Sequence, residues 1–116
     1  MPDRLGNKAR LLHIIDSVEK IERYIGATKY YDFESNSMMK DACIRQLGII
    51  GEACNKISEE IQQANQEIEW RQIIGLRNLV IHQYFGIDDQ VIWDIIQDNL
   101  PDLKLRVIKI LEYLNE

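Results

Sequence analysis

Apolar side chains recur at spacings of three and four residues along most of this chain. That spacing places them on one face of an α-helix. The first such pattern runs from about residue 7 to Gly26, and glycine is the residue that most often ends a helix in the left-handed conformation. We therefore predict an amphipathic first helix that stops at Gly26. Its apolar positions are Leu11, Ile14, Ile15, Val18, Ile21 and Ile25.

A second pattern predicts a long helix that continues to about residue 64. Residues 27 to 36, in which three aromatic side chains stand among polar ones, are predicted to form a loop. Ser35 or Ser37 is predicted to cap the helix after it. About 28 helical residues would span ~42 Å, which exceeds the width expected of a compact domain of this size. A kink, or a partner covering one end, is therefore expected. The apolar face comprises Met39, Ala42, Cys43, Leu47, Ile50, Ala53, Cys54, Ile57 and Ile61.

Two glycines, Gly48 and Gly51, interrupt this second helical pattern. Each costs about 1 kcal/mol of helix stability relative to alanine. One interpretation is that another helix or a ligand must approach closely at this position. The other is a tolerated kink, and the sequence favours neither.

Shorter helical patterns complete the chain after a polar linker. A third helix is predicted to begin near Trp70 and to end before Gly86. Asp88 or Asp89 should cap a fourth, and Pro101 suits the first turn of a fifth. The apolar face of the fifth helix comprises Leu103, Val107, Ile110, Leu111 and Leu114. No strand pattern competes with them. All 116 residues are therefore predicted to form a single domain with an all-α fold, a largely antiparallel bundle of four to five helices.

The composition is that of a folded, water-soluble protein, with 46% hydrophobic and 28% charged residues. The apolar runs are much shorter than the ~20 residues that a membrane-spanning helix needs, and the N-terminus carries charges, so we expect a cytoplasmic protein with no membrane association. The net charge of −5 argues against nonspecific nucleic-acid binding through phosphate neutralisation. Any RNA partner would have to be bound by local basic groups.

The two cysteines, Cys43 and Cys54, lie eleven residues apart in the second helical pattern. On one helix they would be ~16 Å apart, which is beyond the reach of a disulfide. Neither a CxxC motif nor a nearby histidine accompanies them, so they are predicted to be small core residues. No metal site and no cofactor are predicted.

Residues 77 to 84 combine a cation, an amide, an imidazole and a phenol around an apolar run, at Arg77, Asn78, His82 and Tyr84. Arginine presents a planar, permanently charged fork that matches phosphate oxygens. Histidine can accept or donate a proton near neutral pH, and the chain has only one other, His13. This combination of residues is suited to phosphate chemistry.

The geometry of a regular helix determines which of these side chains could meet. Arg77 and Tyr84 would project within ~20° of each other, and Asn78 would lie on the same line as His82 and could fix its tautomer. Arg77 and His82 would diverge by ~140°. Cleavage of RNA through its 2′-hydroxyl needs a base, an acid and a cation but no metal. Two copies of the helix across a twofold axis would supply that set, so we predict a homodimer.

The segment from Arg77 to Tyr84 fits the RX4HXY signature of the HEPN superfamily, and the chain resembles the HepT-like branch of that superfamily. Similar blocks occur in the same order at residues 42–53, 70–88 and 91–104, and the resemblance extends from about residue 10 to 114. It implies a homodimeric, metal-independent endoribonuclease toxin with Arg77 and His82 as catalytic residues in the dimer cleft. It also implies a partner, a minimal nucleotidyltransferase antitoxin that adds AMP to the tyrosine of the signature, here Tyr84.

Roles follow from this resemblance. Arg77 would bind the scissile phosphate, His82 would be the general acid or base, and Asn78 would orient His82 or contact the ligand. Glu52, a lone carboxylate in an apolar run, could pair with Arg77 or the imidazole, or could be a surface residue. Two other classes of function stay open: a noncatalytic nucleotide-binding or adaptor subunit of a nucleotidyltransferase complex, and a dimerisation bundle without activity.

Overall fold

The computed structural model describes residues 4–79 and 88–115, and these residues are helical apart from short connections. No strand occurs in these two ranges, so the predicted all-α fold is confirmed. The α-helices are α1 (Arg4–Ile25), α2 (Tyr30–Ser35), α3 (Ser37–Asn55), α4 (Glu59–Ala64), α5 (Trp70–Gly75), α6 (Asp89–Asp94) and α7 (Leu100–Leu114). The 3-10 turn Leu76–Asn78 extends α5, and the π-helical segment Ile95–Asn99 joins α6 to α7.

Helix α1 packs against both α3 and α7, and polar contacts show that it runs antiparallel to each. Lys104, near the start of α7, forms ion pairs of 3.3 and 3.1 Å with Glu19 and Glu22 in the second half of α1. Asn7, near the start of α1, hydrogen-bonds to Ser58, which lies just beyond the end of α3. The three long helices therefore form an antiparallel core.

The apolar faces predicted from the sequence form this core. Burying a large aliphatic side chain stabilises the fold by roughly 1.5–3 kcal/mol, so these three faces dominate the favourable energy. Gly26 follows α1 with a φ of 51°, as expected for a helix-ending glycine. The most completely buried positions of the long helices are Leu11, Ile14, Val18, Ile21, Cys43, Leu47, Ile50, Cys54 and Val107.

Both cysteines lie in α3 as free, buried thiols, which confirms the prediction that they are core residues. Burial in apolar surroundings disfavours the charged thiolate. It raises the pKa of Cys43 to about 11 and that of Cys54 to about 12. Both side chains are therefore neutral at physiological pH.

The prediction of one long second helix was wrong, because α3 ends at Asn55 and α4 begins at Glu59. The side chain of Ser58 caps α4 by accepting a hydrogen bond from the amide of Ile61. Asn7 binds both the amide and the hydroxyl of Ser58 at 3.1 Å. The expected interruption of the long pattern therefore occurs as a full break, at a position where a residue 51 positions earlier binds Ser58.

The prediction that residues 27 to 36 form a loop was also wrong, since α2 occupies Tyr30–Ser35. Phe33 is fully buried, and its ring centroid lies 5.1 Å from that of Trp93 in α6. Tyr30 meets the same tryptophan edge to face at 5.8 Å. Because these two aromatic residues are three apart, a helical turn directs both towards Trp93.

Several predicted boundaries can be compared with the caps observed. Asn36 caps α3 by accepting from the amide of Met39 at 3.0 Å, so neither Ser35 nor Ser37 has the predicted capping role. Asp88 caps α6 through the amide of Gln90, as predicted. Helix α5 begins at Trp70 and Pro101 lies in the first turn of α7, which agrees with the sequence patterns. The predicted end before Gly86 lies outside the described residues.

Within residues 4–79 and 88–115, every helix is too short or too polar to cross a bilayer.

Candidate functional site

The structure places three of the predicted site residues on two neighbouring elements. Arg77 and Asn78 are exposed in the 3-10 turn after α5, and Glu52 is exposed near the end of α3. His82 and Tyr84 lie outside the described residues. The structure therefore gives the surroundings of the arginine of the signature, and the roles of all five residues stay predictions.

The turn that carries Arg77 packs unusually close to α3 at Gly51. A Cβ atom added to Gly51 would lie 2.6 Å from the amide nitrogen of Arg77 and 2.8 Å from the carbonyl oxygen of Ile73. Such distances are far below van der Waals contact, so only glycine fits between the two backbones. Of the two interpretations of the glycines, close approach by another helix holds at Gly51.

The carboxylate of Glu52 lies between two cations. One oxygen is 3.9 Å from Nη1 of Arg77, and the other is 3.8 Å from Nζ of Lys56. The side chains of Arg77 and Glu52 are 41% and 50% exposed, so water weakens their attraction. The guanidinium has five N–H donors, and among residues 4–79 and 88–115 its one ion pair, with Glu52, is long, which leaves donors for another anion.

Charge is locally positive around this contact although the chain as a whole is acidic. Arg77 and Lys56 contribute two positive charges and Glu52 one negative charge, which leaves +1 on a chain whose net charge is −5. A phosphate group that approached Arg77 would compete directly with Glu52. Sequence reasoning missed Lys56, although its spacing of four residues from Glu52 on one helix could have indicated it.

The backbone at Arg77 differs from the regular α-helix that the sequence analysis assumed. Leu76–Asn78 forms a 3-10 turn, in which successive residues are rotated by about 120° instead of 100°. The assumption of a straight α-helix through Arg77 was therefore wrong. The angles predicted from Arg77 to Tyr84 and His82 rested on that assumption, and both partners lie outside the described residues.

In the described part of the chain, no group of three or more His, Cys, Asp or Glu side chains is arranged to hold a metal ion.

Comparison with known proteins places this site in a family. The model of the family described as "Ribonuclease HepT-like" matches residues 14–110, which include α3, α5 and the turn bearing Arg77. The chain belongs to the HepT-like ribonuclease family. Its assignment to this branch of the HEPN superfamily, first made on the signature from Arg77 to Tyr84, is confirmed.

Individual proteins also align over most of this chain. A "putative RNase" of Methanocaldococcus jannaschii is 36% identical over 100 residues, covering 86% of this chain and 92% of the relative. A "probable ribonuclease HepT" of Thermococcus cleftensis is 34% identical over 99 residues, covering 85% and 90%.

A longer relative matches this chain over about half of its own length. A "gamma-glutamylcyclotransferase and putative RNase" of M. jannaschii is 34% identical over 109 residues, covering 94% of this chain but 49% of the relative. This chain therefore corresponds to about half the length of that protein. No solved structure matches the chain.

Proposed function

We propose that this chain is an endoribonuclease that cleaves RNA without a metal ion, with Arg77 and His82 as its catalytic residues. Membership of the HepT-like ribonuclease family is the observation that carries the proposal, because the matched residues 14–110 include both positions. The exposure of Arg77 and the length of its ion pair with Glu52, 3.9 Å, support a role in binding an anion.

The proposed reaction is an internal displacement at phosphorus. A base removes the proton of the 2′-hydroxyl, the 2′-oxygen attacks the adjacent phosphorus, and the bond from phosphorus to the 5′-oxygen breaks. An acid protonates that leaving oxygen, so the products are a 2′,3′-cyclic phosphate and a 5′-hydroxyl. Arg77 would stabilise the charge that develops on the phosphorane. His82 would serve as the acid or the base, and Asn78 would orient it.

A homodimer would complete this set of groups. One chain offers a single histidine in the signature, whereas acid and base catalysis in one step require two proton-transfer groups. Two copies of His82 and Arg77 in one cleft would supply both groups and double the local positive charge. We therefore propose that the active species is a dimer, with a mass about twice the 13.6 kDa of the chain. Light scattering on the purified protein tests this mass.

Incubation of the purified protein with total RNA in EDTA tests the enzymatic proposal. We expect cleavage by the wild type, and its loss in His82→Ala and in Arg77→Ala. Arg71→Ala is the matched control, because Arg71 is also an exposed arginine of the α5 region but is not part of the signature. Intact RNA after incubation with folded, unmodified wild-type protein would reject the nuclease.

We further propose that the nuclease is the toxin of a toxin–antitoxin pair and that a minimal nucleotidyltransferase inactivates it. The phenolic oxygen of Tyr84 would attack the α-phosphorus of ATP, releasing pyrophosphate and a proton. The attached AMP would add bulk and negative charge to the signature that carries Arg77, and would compete with RNA phosphate.

Mass spectrometry after incubation with ATP and a minimal nucleotidyltransferase from the same organism tests this regulation. We expect the intact mass to rise by one or more AMP units, and Tyr84→Phe to stay unmodified. Tyr113→Phe is the control, since Tyr113 is 71% exposed on α7 and its loss should leave modification unchanged. Modification of a protein that never cleaves RNA would instead support the noncatalytic adaptor.

A further inference from the structure

The three atoms nearest to a Cβ placed on Gly51 are all backbone atoms, two in α5 and one in the turn bearing Arg77. A Cβ on Gly51 would meet the Arg77 amide nitrogen at 2.6 Å, the Ile73 carbonyl oxygen at 2.8 Å and the Ile74 carbonyl oxygen at 3.1 Å. A clash with a side chain can be relieved by a change of rotamer, but a clash with three backbone atoms cannot. One of the two elements would have to move.

The segment that would move is the end of α5 together with the 3-10 turn, because Ile73 and Ile74 belong to α5 and Arg77 to the turn. Helix α3 is fixed by its neighbouring core residues, since Ile50, Ala53 and Cys54 are all buried. By contrast, residues 71–79, which form the rest of α5 and the turn, include no buried residue, and Leu76 packs against the core only partly buried. Ordinary contact begins near 3.4 Å, so restoring it from 2.6 Å requires a displacement of at least 0.8 Å at the Arg77 amide.

Consecutive residues of α3 therefore contact Arg77 at its two ends. Gly51 sets the distance of its backbone, and the Glu52 carboxylate lies 3.9 Å from its guanidinium. The guanidinium can reach a ligand in a defined place only if its backbone is held there, because each of its rotatable bonds adds freedom.

We infer that Gly51 is a positioning residue for Arg77: the lack of a side chain at Gly51 lets the turn approach α3 and holds the guanidinium where it meets the scissile phosphate. The inference rests on the proposed ribonuclease function and adds to it the residue that determines where its cation is placed. A misplacement of about 1 Å in a catalytic group can lower the rate roughly 100-fold.

Gly51→Ala and Gly75→Ala form a matched pair of tests. Both replace a glycine of the α3/α5 region by the smallest side chain, but a Cβ on Gly75 has nothing within 4 Å. We expect RNA cleavage to fall about 100-fold in Gly51→Ala and to stay within about twofold of wild type in Gly75→Ala. Equal activities of the two variants would overturn the inference.

Combination with Arg77→Ala separates positioning from a general loss of structure. If Gly51 acts through Arg77, then Arg77→Ala should lower cleavage much less in the Gly51→Ala background than in the wild type, because the guanidinium is already misplaced. Full additivity of the two losses would show that Gly51 has only a structural role, and would overturn the inference.

Amide hydrogen exchange of residues 74–79 gives a readout that needs no activity. We expect faster exchange there in Gly51→Ala and no comparable change in the same amides of Gly75→Ala. If the wild type cleaves no RNA, the proposed function fails, and this comparison still decides whether Gly51 holds the turn. Unchanged amide exchange in Gly51→Ala would refute the claim that Gly51 holds the turn in place.

If Gly51→Ala does not fold in buffer, the same measurements are made in trimethylamine N-oxide, which favours the compact state. The wild type provides an independent test by NMR, through a nuclear Overhauser effect between a Gly51 Hα and the Arg77 amide proton. We expect a strong effect, and its absence would overturn the inference.

Discussion

Two polar contacts close to the end of α3 differ in almost every respect. Asn7 is 1% exposed and binds Ser58 through two hydrogen bonds of 3.1 Å. Glu52 approaches Arg77 at 3.9 Å, and half of its side chain is in water. The buried contact joins two helices and leaves no capacity for another ligand. In the exposed contact, Arg77 can release Glu52 and bind a different anion.

The free energies associated with the two contacts differ for the same reason. Leaving a buried donor or acceptor without a partner costs about 1–3 kcal/mol. Losing an exposed ion pair costs about 0–1 kcal/mol, because water replaces the partner. We therefore assign the first contact to stability and the second to ligand exchange.

The largest effect that would sharpen this contrast is expected from Arg77. Arg77→Ala should lower the rate of RNA cleavage by about 10²–10³-fold. The rate of Arg77→Lys should lie between those of Arg77→Ala and the wild type, because lysine keeps the charge but lacks the planar fork. The free energy of unfolding of both variants, measured by thermal denaturation, should differ from that of the wild type by less than about 0.5 kcal/mol, as expected for an exposed position. If Arg77→Ala is unfolded, then Arg77 is required for the stability of the fold, and the contrast with Asn7 fails.

Asn7 should show the opposite behaviour. Asn7→Ala should lower the free energy of unfolding by about 1–3 kcal/mol, since Ser58 loses both of its long-range hydrogen bonds. Asn55→Ala, an exposed asparagine at the end of α3, is the control and should change stability by less than about 0.5 kcal/mol. Urea unfolding measures both. If Asn7→Ala and Asn55→Ala are equally stable, the contact between Asn7 and Ser58 does not stabilise the fold.

The buried thiols give a smaller effect that depends on pH. The pKa values of Cys43 and Cys54 are about 11 and about 12 in the fold, against 9.0 for an unperturbed thiol. The unfolded chain therefore loses these protons first, and their contribution to stability is complete below about pH 9 and is lost as pH rises towards 11 and 12. At pH 10 the loss should be roughly 1 kcal/mol per cysteine.

Urea unfolding between pH 8 and pH 10 tests the thiols, with the double variant Cys43→Ala, Cys54→Ala as the reference that removes both titrations. The wild type should lose more stability over this range than the variant. If the free energy of unfolding changes with pH in the same way in the wild type and the double variant, burial does not raise the pKa of either thiol.

The smallest effect is expected from Glu52. Glu52→Gln keeps the size of the side chain but removes its charge, so stability should change by less than about 1 kcal/mol. RNA should bind a few-fold more tightly, because Arg77 and Lys56 lose a competing anion. Glu60→Gln makes the same change of charge on the exposed face of α4 and serves as the control. Weaker RNA binding by Glu52→Gln than by Glu60→Gln would mean that Glu52 holds Arg77 in place for RNA.

Predictions from local patterns succeeded where neighbouring residues decide the structure. Asp88 caps the helix that follows it, Pro101 lies in a first turn, and Gly26 ends α1, because each of these depends on a few adjacent residues. The prediction of one long second helix was wrong because Ser58, at the break, is bound by Asn7, which is remote in sequence. The helix at Tyr30–Ser35 was missed because Trp93, also remote, buries its aromatic face.

The sequence by itself determined the helical content, the three apolar faces and the pairing of an arginine with a histidine in one signature, because side-chain chemistry and helical period are properties of the chain. Only the tertiary structure decided that Gly51 admits the backbone of Arg77 and that Glu52 meets its guanidinium. The packing of α3 against α5 creates both contacts, and residues more than twenty positions apart become neighbours only when the helices associate.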